Sequence, residues 1–346
     1  MKNKVLIIFK YPHGWNKPVV QKFSKYYDTE QIYINDLKNK NFTEVVNEIN
    51  NLIESKNIDI VVFDVDYFKF INLFFIEKIK AKKKILWTGD DFELHSMNAI
   101  TASACDLVLS TCPLSVLKYK EKGYEAYNTH GEDGAVNNSD VKKEIDVLFF
   151  GALTKDREEF INFISKKGIA IKNVSHSEGV TGLSEDELKK LISKSKIVLN
   201  LSKTRTTSLS NFSSEKVYKF FYQTKGRIIM AGMNGAACVS EYSPVQELLY
   251  NNNEIPTFYT KEECVEILKD LLQKTELLKE VTNKFTLRTQ EIYEDKKSFE
   301  PIFHAIQKKE NRKVNLIKIP YWYLRISAKQ IIMRDIKLSN LIKTLN

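Results

Sequence analysis

Long apolar runs are missing from this chain of 346 residues. No stretch reaches the roughly 18 consecutive apolar residues that would cross a bilayer as a helix, so no transmembrane helix is expected. The longest apolar runs are strand-like and are interrupted by Lys or Asp. Val5 to Phe9 follows a basic start but is too short for the apolar core of a signal peptide, and the expectation is a cytoplasmic protein. Cysteine is scarce. Cys105, Cys112, Cys238 and Cys264 show no CxxC spacing and lie in apolar or helical contexts, which points to buried thiols and away from disulfides or a zinc site. No GxGxxG is present either, so the dinucleotide fingerprint is absent. Acidic residues are thin in one region only: residues 308–346 hold ten Lys and Arg against Glu310 and Asp335, a net +8 of the chain's +9. The rest is nearly neutral, which argues against a nucleic-acid-binding body.

What is present supports two ordinary cores: 43 % apolar and 11 % aromatic residues over a length that suits two domains. Lys4 to Phe9 is a buried-strand signal, continuous in apolar and β-branched residues, and strand-like segments recur at 31–34, 58–64, 84–87, 106–111 and 124–127. Helical patterns alternate with them, among them 42–56 with Val45, Val46, Ile49 and Ile53 at helical spacing. Strands alternating with helices imply βαβ units and a parallel sheet. The pattern restarts at Ile145 to Gly151 and continues through strands near 169–174, 196–201, 236–240 and 255–259. The polar, Gly-bearing stretch 128–140 reads as the linker, with His130, Glu132 and Asp133 either facing substrate or simply solvated. The expected domains are 1–135, 136–305 and a basic amphipathic tail, 306–346.

The chain is organised around Lys225 to Leu249: a basic helix, a Gly-containing turn at Gly235, a short apolar strand and an acidic loop opening a second helix near Pro244. Strands of this kind end at the carboxyl edge of a parallel sheet, where α/β proteins bind ligands. A helix N-terminus there offers backbone N–H groups to an anion, and Glu241 and Glu247 would accept hydrogen bonds from ribose or sugar hydroxyls. Two further places carry chemistry. Asp90 and Asp91 follow a strand, either as a site or with an Asp capping the helix from Phe92. Gly151 follows another strand and precedes Arg157 and a helix, a place that suits a diphosphate.

The segment resembles the C-terminal domain of GT-B glycosyltransferases, in the spore-maturation-type (CgeB-like) branch of the group-1 superfamily, at Lys225, Gly226, Arg227, Gly235, Glu241 and Tyr242. Asp146, Val147, Phe149, Gly151 and Arg157 resemble a second family motif, Ile197 to Asn200 a third, and Asp90–Asp91 with Asp106 to Thr111 the family's acidic dyad and following strand. The resemblance implies an α/β, GT-B fold: two Rossmann-like parallel α/β/α domains facing across a cleft. It implies a metal-independent transfer from a nucleotide-sugar donor, with no cofactor, to a glycan, lipid-linked or protein acceptor. Gly151, Arg157, Asn200, Lys225, Arg227, Gly235, Glu241 and Glu247 would hold the donor, and Asp90, Asp91 or His13 would supply a general base. One position departs: where the family carries a ribose-gripping Glu, this chain has Met230. The alternative reading is therefore a catalytically weak binding or scaffold protein on the same fold.

In the tail, Leu324, Ala328, Ile331, Ile332, Ile336, Leu341 and Leu345 share one helical face, and Lys329, Arg334, Lys337 and Lys343 lie away from it. Two roles fit: an anionic membrane surface, or packing back on the first domain.

Overall fold

A computed structural model describes residues 3–12, 16–65, 70–89, 91–130, 141–176, 183–202, 225–308 and 318–345. It divides into two compact units. The first holds the described residues up to 130 and from Phe299 onward; the second holds those between.

In the first unit the elements run β1 (Lys4–Phe9), α1 (Asn16–Ser24), β2 (Asp28–Tyr33), α2 (Phe42–Lys56), β3 (Ile60–Val65), α3 (Leu73–Lys78), β4 (Lys83–Thr88), α4 (Asp91–Ala102), β5 (Leu107–Ser110), α5 (Pro113–Glu121) and β6 (Ala126–Asn128). All six strands are parallel, in the order β2-β1-β3-β4-β5-β6. Successive strand side chains point to opposite faces, and the burial follows. Leu6, Ile8, Val61, Phe63 and Val65 enter the core under α2, α3 and α4. Val5, Ile7, Phe9, Ile60, Val62, Ile85 and Trp87 enter the core under α1. Strands buried on both faces explain why β1 from Val5 to Phe9 and β3 from Ile60 to Phe63 read as unbroken apolar runs. Asn41 caps α2 in a reciprocal box with Glu44.

The second unit repeats the plan with β7 (Ile145–Ala152), α6 (Lys155–Lys166), β8 (Ile171–His176), α7 (Glu185–Ser193), β9 (Ser195–Asn200), α8 (Gly226–Met233), β10 (Ala237–Glu241), β11 (Thr257–Phe258), α9 (Lys261–Gln273) and α10 (Thr275–Tyr293). Its parallel order is β11-β10-β9-β7-β8. In both sheets the second strand lies outside the first and the third crosses to the other side. The chain's direction of travel across the sheet therefore reverses between β1 and β3, and between β7 and β9. In open α/β sheets such a reversal, at the strands' carboxyl ends, is where ligands bind.

One expectation changes. The helix expected near Pro244 is a single 3-10 turn, Gln246–Leu248. Gln246 is buried and its Oε1 accepts from Ser240 Oγ at 2.8 Å, which ties the turn to the end of β10. For the tail, the structure agrees with the packing alternative. From Phe299 the chain returns to the first unit through α11 (Asp295–Gln307), whose Phe299, Ile302 and Ile306 join its core, and then α12 (Tyr321–Leu345). Tyr323 is buried there, its phenol oxygen accepting from Leu73 N–H at 2.9 Å and lying 2.9 Å from Thr101 Oγ1. Arg334 faces inward: its guanidinium donates to the Leu37 and Lys40 carbonyls and lies 4.5 Å from the Phe70 ring centroid. Leu324 and Ile332 are exposed. The apolar stripe of α12 thus faces outward over its first turns, because Tyr323 and Arg334 find specific partners on the other side.

Candidate active site

The densest polar chemistry of the second unit lies at its reversal point. Two guanidinium groups are buried there, Arg157 from α6 and Arg227 from α8, each only 7 % exposed. Arg227 lies across the ends of β7, 4.9 Å from the Phe149 ring centroid and 5.8 Å from that of Phe150. Gly151 makes room for it. The residue sits at φ +111°, and a Cβ there would come within 2.9 Å of Arg227 Nη2.

Arg227 Nη1 donates to Asn200 Oδ1 at 3.1 Å. The amide's orientation is set by its other end, since Asn200 Nδ2 donates to Ser202 Oγ at 2.9 Å and Ser240 Oγ at 2.8 Å. Ser202 in turn donates to the Glu241 carbonyl at 3.0 Å. The chain of hydrogen bonds thus joins the ends of β9 and β10. Arg157 Nη1 donates to the Ala152 carbonyl at 2.7 Å and its Nη2 to the Leu201 carbonyl at 3.4 Å. Among the described residues no carboxylate pairs with Arg227. Burial, and then the Arg157 charge, pull the Arg227 guanidinium down from its ordinary value to about 9. Two like charges held out of water are unfavourable by themselves. A ligand carrying several anionic oxygens would relieve both the repulsion and the lost hydration through charge-assisted hydrogen bonds.

Residues 141–295, the body of this unit, match the family model described as glycosyl transferase-like. This unit is therefore glycosyl transferase-like, over a stretch that is less than half of the chain. Solved structures of similar fold include an alpha-glucosyltransferase in complex with UDP and a 13-mer DNA, at 12 % identity and TM-score 0.56, covering 89 % of this chain and 100 % of that one. Another is Anabaena Alr3699/HepE in complex with UDP and glucose, at 9 % identity and TM-score 0.57, covering 88 % of this chain and 99 % of that one. A third is a putative UDP-N-acetylglucosamine 2-epimerase from Listeria monocytogenes, at 12 % identity and TM-score 0.53, covering 92 % of this chain and 100 % of that one. At these identities the likeness establishes the fold, and the third protein's name shows that the fold alone does not fix the reaction. No curated protein matches the sequence.

The remaining site residues expected from the sequence are spread more widely over the chain. Lys225 is half-buried and immediately precedes α8. Gly235 is in the turn between α8 and β10. Glu241 ends β10, half-buried, and Glu247 is exposed on the 3-10 turn beside Tyr242, whose phenol stacks on Tyr259 with ring centroids 4.6 Å apart. Met230, on α8, is 8 % exposed and packs into the core with Ile229, Met233 and Phe285, so α8 presents no carboxylate at that position.

In the first unit Asp91 is fully buried and accepts three hydrogen bonds, from Ser110 Oγ at 2.7 Å, Asn98 Nδ2 at 2.8 Å and Tyr119 OH at 3.0 Å. It thereby pins α4, β5 and α5 together. Asp90 and His13 lie outside the described residues. The sequence reading passed over Ser202, Ser240 and Gln246, which fix the Asn200 amide. Small polar residues at strand ends carry no local signal, and only the sheet order brings them together.

Proposed function

We propose that the chain moves a sugar from a nucleoside diphosphate sugar to a hydroxyl of a cell-surface glycan, glycolipid or protein, with Arg227 and Arg157 doing the work of a metal at the diphosphate. The acceptor oxygen forms a bond to the anomeric carbon and the bond from that carbon to the diphosphate oxygen breaks. The electron pair leaves with the nucleoside diphosphate, and the hydroxyl proton passes to a base. Charge grows on the departing oxygens, where guanidinium donors already in place are worth the most. The observation that carries this reading is the pair of buried guanidinium groups at the β7–β9 reversal. UDP is the expected nucleotide, because similar folds are described in complex with UDP. A nucleic-acid acceptor is disfavoured by the near-neutral charge outside residues 308–346.

Thermal melting with UDP, GDP, ADP and CMP tests it. One nucleotide should raise the melting temperature of the wild type and leave Arg227→Ala unmoved. Met230 favours a second reading, a fold retained for binding or scaffolding: with no carboxylate from α8, the ribose loses one partner. No thermal response to any of the four nucleotides, together with no release of sugar from donors, would establish that second reading.

We also propose that the enzyme works at the cytoplasmic face of an anionic membrane. No helix among the described residues is long and apolar enough to cross one. The exposed stripe of α12, Tyr321, Leu324 and Ile332 with Arg325 and Lys329 alongside, suits the interfacial zone. Leu324→Glu with Ile332→Glu should abolish pelleting with anionic vesicles; equal pelleting would remove the membrane role.

A further inference from the structure

Asp64 is the charged residue that the first unit treats most unusually. It sits near the end of β3, directly after Phe63, which is in register with Ile8 of β1. It is therefore at the carboxyl edge of the first sheet, on the strand where the sheet order reverses. Alternation along β3 sends Val61, Phe63 and Val65 to one core and Ile60 and Val62 to the other, so Asp64 faces the second side with Phe9 and Trp87. Trp87 is its register partner on β4. Behind these rings pack Phe23 of α1, 6.2 Å from Trp87 between centroids, and Phe299 of α11, 5.2 Å from Phe23.

A half-buried carboxylate on the aromatic side of a parallel sheet would ordinarily be given donors. This one has none: among the described residues nothing donates a hydrogen bond to it or forms an ion pair with it. Burial alone pushes its carboxyl up to about 7. Asp91 shows the opposite treatment in the same unit, where a fully buried carboxylate receives three donors from three elements. Where the fold needs a carboxylate, it satisfies it. Asp64 has no such donor among the described residues, and it lies where the sheet's topology opens a ligand crevice.

We propose that Asp64 is a sugar-binding residue of the first unit, its carboxylate accepting hydrogen bonds from hydroxyls of the molecule that receives the transferred sugar. A polyol fits because it supplies the neutral donors that the chain withholds, and a carboxylate engages two vicinal hydroxyls at once. The proposal rests on the transferase reading given above, and it assigns acceptor contact to a residue outside the Asp90–Asp91 pair.

Saturation-transfer NMR on the full chain tests it, with glucose, galactose and N-acetylglucosamine as probes, each in the presence of saturating UDP so that the nucleotide's own site is filled. At least one sugar should receive saturation from the wild type, with affinity falling roughly tenfold in Asp64→Asn. Asn is isosteric and uncharged, and a melt of the variant at pH 5 that matches the wild type, where the Asp64 carboxyl is protonated, confirms that the first unit folds. Absence of signal from all three sugars with the wild type, or equal signals in the two proteins, overturns the assignment of Asp64. Failure of UDP itself to bind the wild type overturns the transferase reading instead, so the two failures are read separately.

Discussion

The β7–β9 reversal of the second unit carries two buried guanidinium groups and a fixed amide, while the β1–β3 reversal of the first carries a lone carboxylate. The strand order, handed out twice, is the same; the charge is opposite. Asn200 ends β9 much as Asp64 lies near the end of β3, yet among the described residues Asn200 is held from three sides and Asp64 from none. Arg227 and Asp64 each lack an ion-pair partner among the described residues, and under the proposals above they would meet ligands of complementary kinds: phosphate oxygens at one, hydroxyl protons at the other.

The comparison breaks first at Gly151. Gly151→Ala combines an unfavourable φ of +111° with a Cβ 2.9 Å from Arg227 Nη2. It should cut transfer by about two orders of magnitude by displacing one guanidinium, with only a few degrees lost in melting temperature. Steady-state kinetics beside a melt check this; a normal rate would mean that Arg227 need not lie against β7.

Next comes Asp64, through stability and not activity. Its carboxyl is near 7 when folded and near 3.8 when unfolded, so the folded chain holds the proton more tightly. The group therefore favours the folded state at low pH and loses that contribution as pH rises between those values. Asp64→Asn escapes the loss. Its stability advantage over the wild type should be roughly 2 kcal/mol larger at pH 8 than at pH 5 by urea unfolding. An advantage that does not change with pH would show that the carboxylate is already satisfied.

The smallest effect belongs to α12. Tyr323→Phe orphans the Leu73 N–H and should cost about 1–2 kcal/mol. UDP affinity should stay at the wild-type value, because Tyr323 belongs to the first unit and the guanidinium pair to the second. A calorimetric titration that showed weakened UDP binding would tie α12 to the donor site.

The sequence was most readable where backbone order and apolar pattern agree. The runs at β1, β3, β7 and β9 are buried on both faces, so continuous Val, Ile, Leu and Phe announce them. Arg157, Gly151 and Arg227 stood out through motif resemblance, and the coordinates place them together. What stayed hidden depends on long-range pairing. Asp64 reads as a charge ending a strand until the sheet order shows that its strand is the one beside β1. For the tail, packing on the first domain was one of the two roles read from the sequence, and periodicity could not say which face turns inward. Two specific contacts, Tyr323 at Leu73 and Arg334 at Leu37 and Lys40, outweighed the apolar stripe. The helix expected at Pro244 failed because one buried Gln side chain holds the turn to the strand.

The central claim is that Arg227 is buried for an anion's sake and not for the fold's. Titration calorimetry of UDP into the wild type and Arg227→Met, with a melt of each protein alone, tests it directly. Met fills the apolar volume without the charge. The variant should melt at or above the wild type and bind UDP about a hundredfold more weakly. A variant that unfolds easily yet binds UDP as the wild type does would make Arg227 a structural residue and contradict the account.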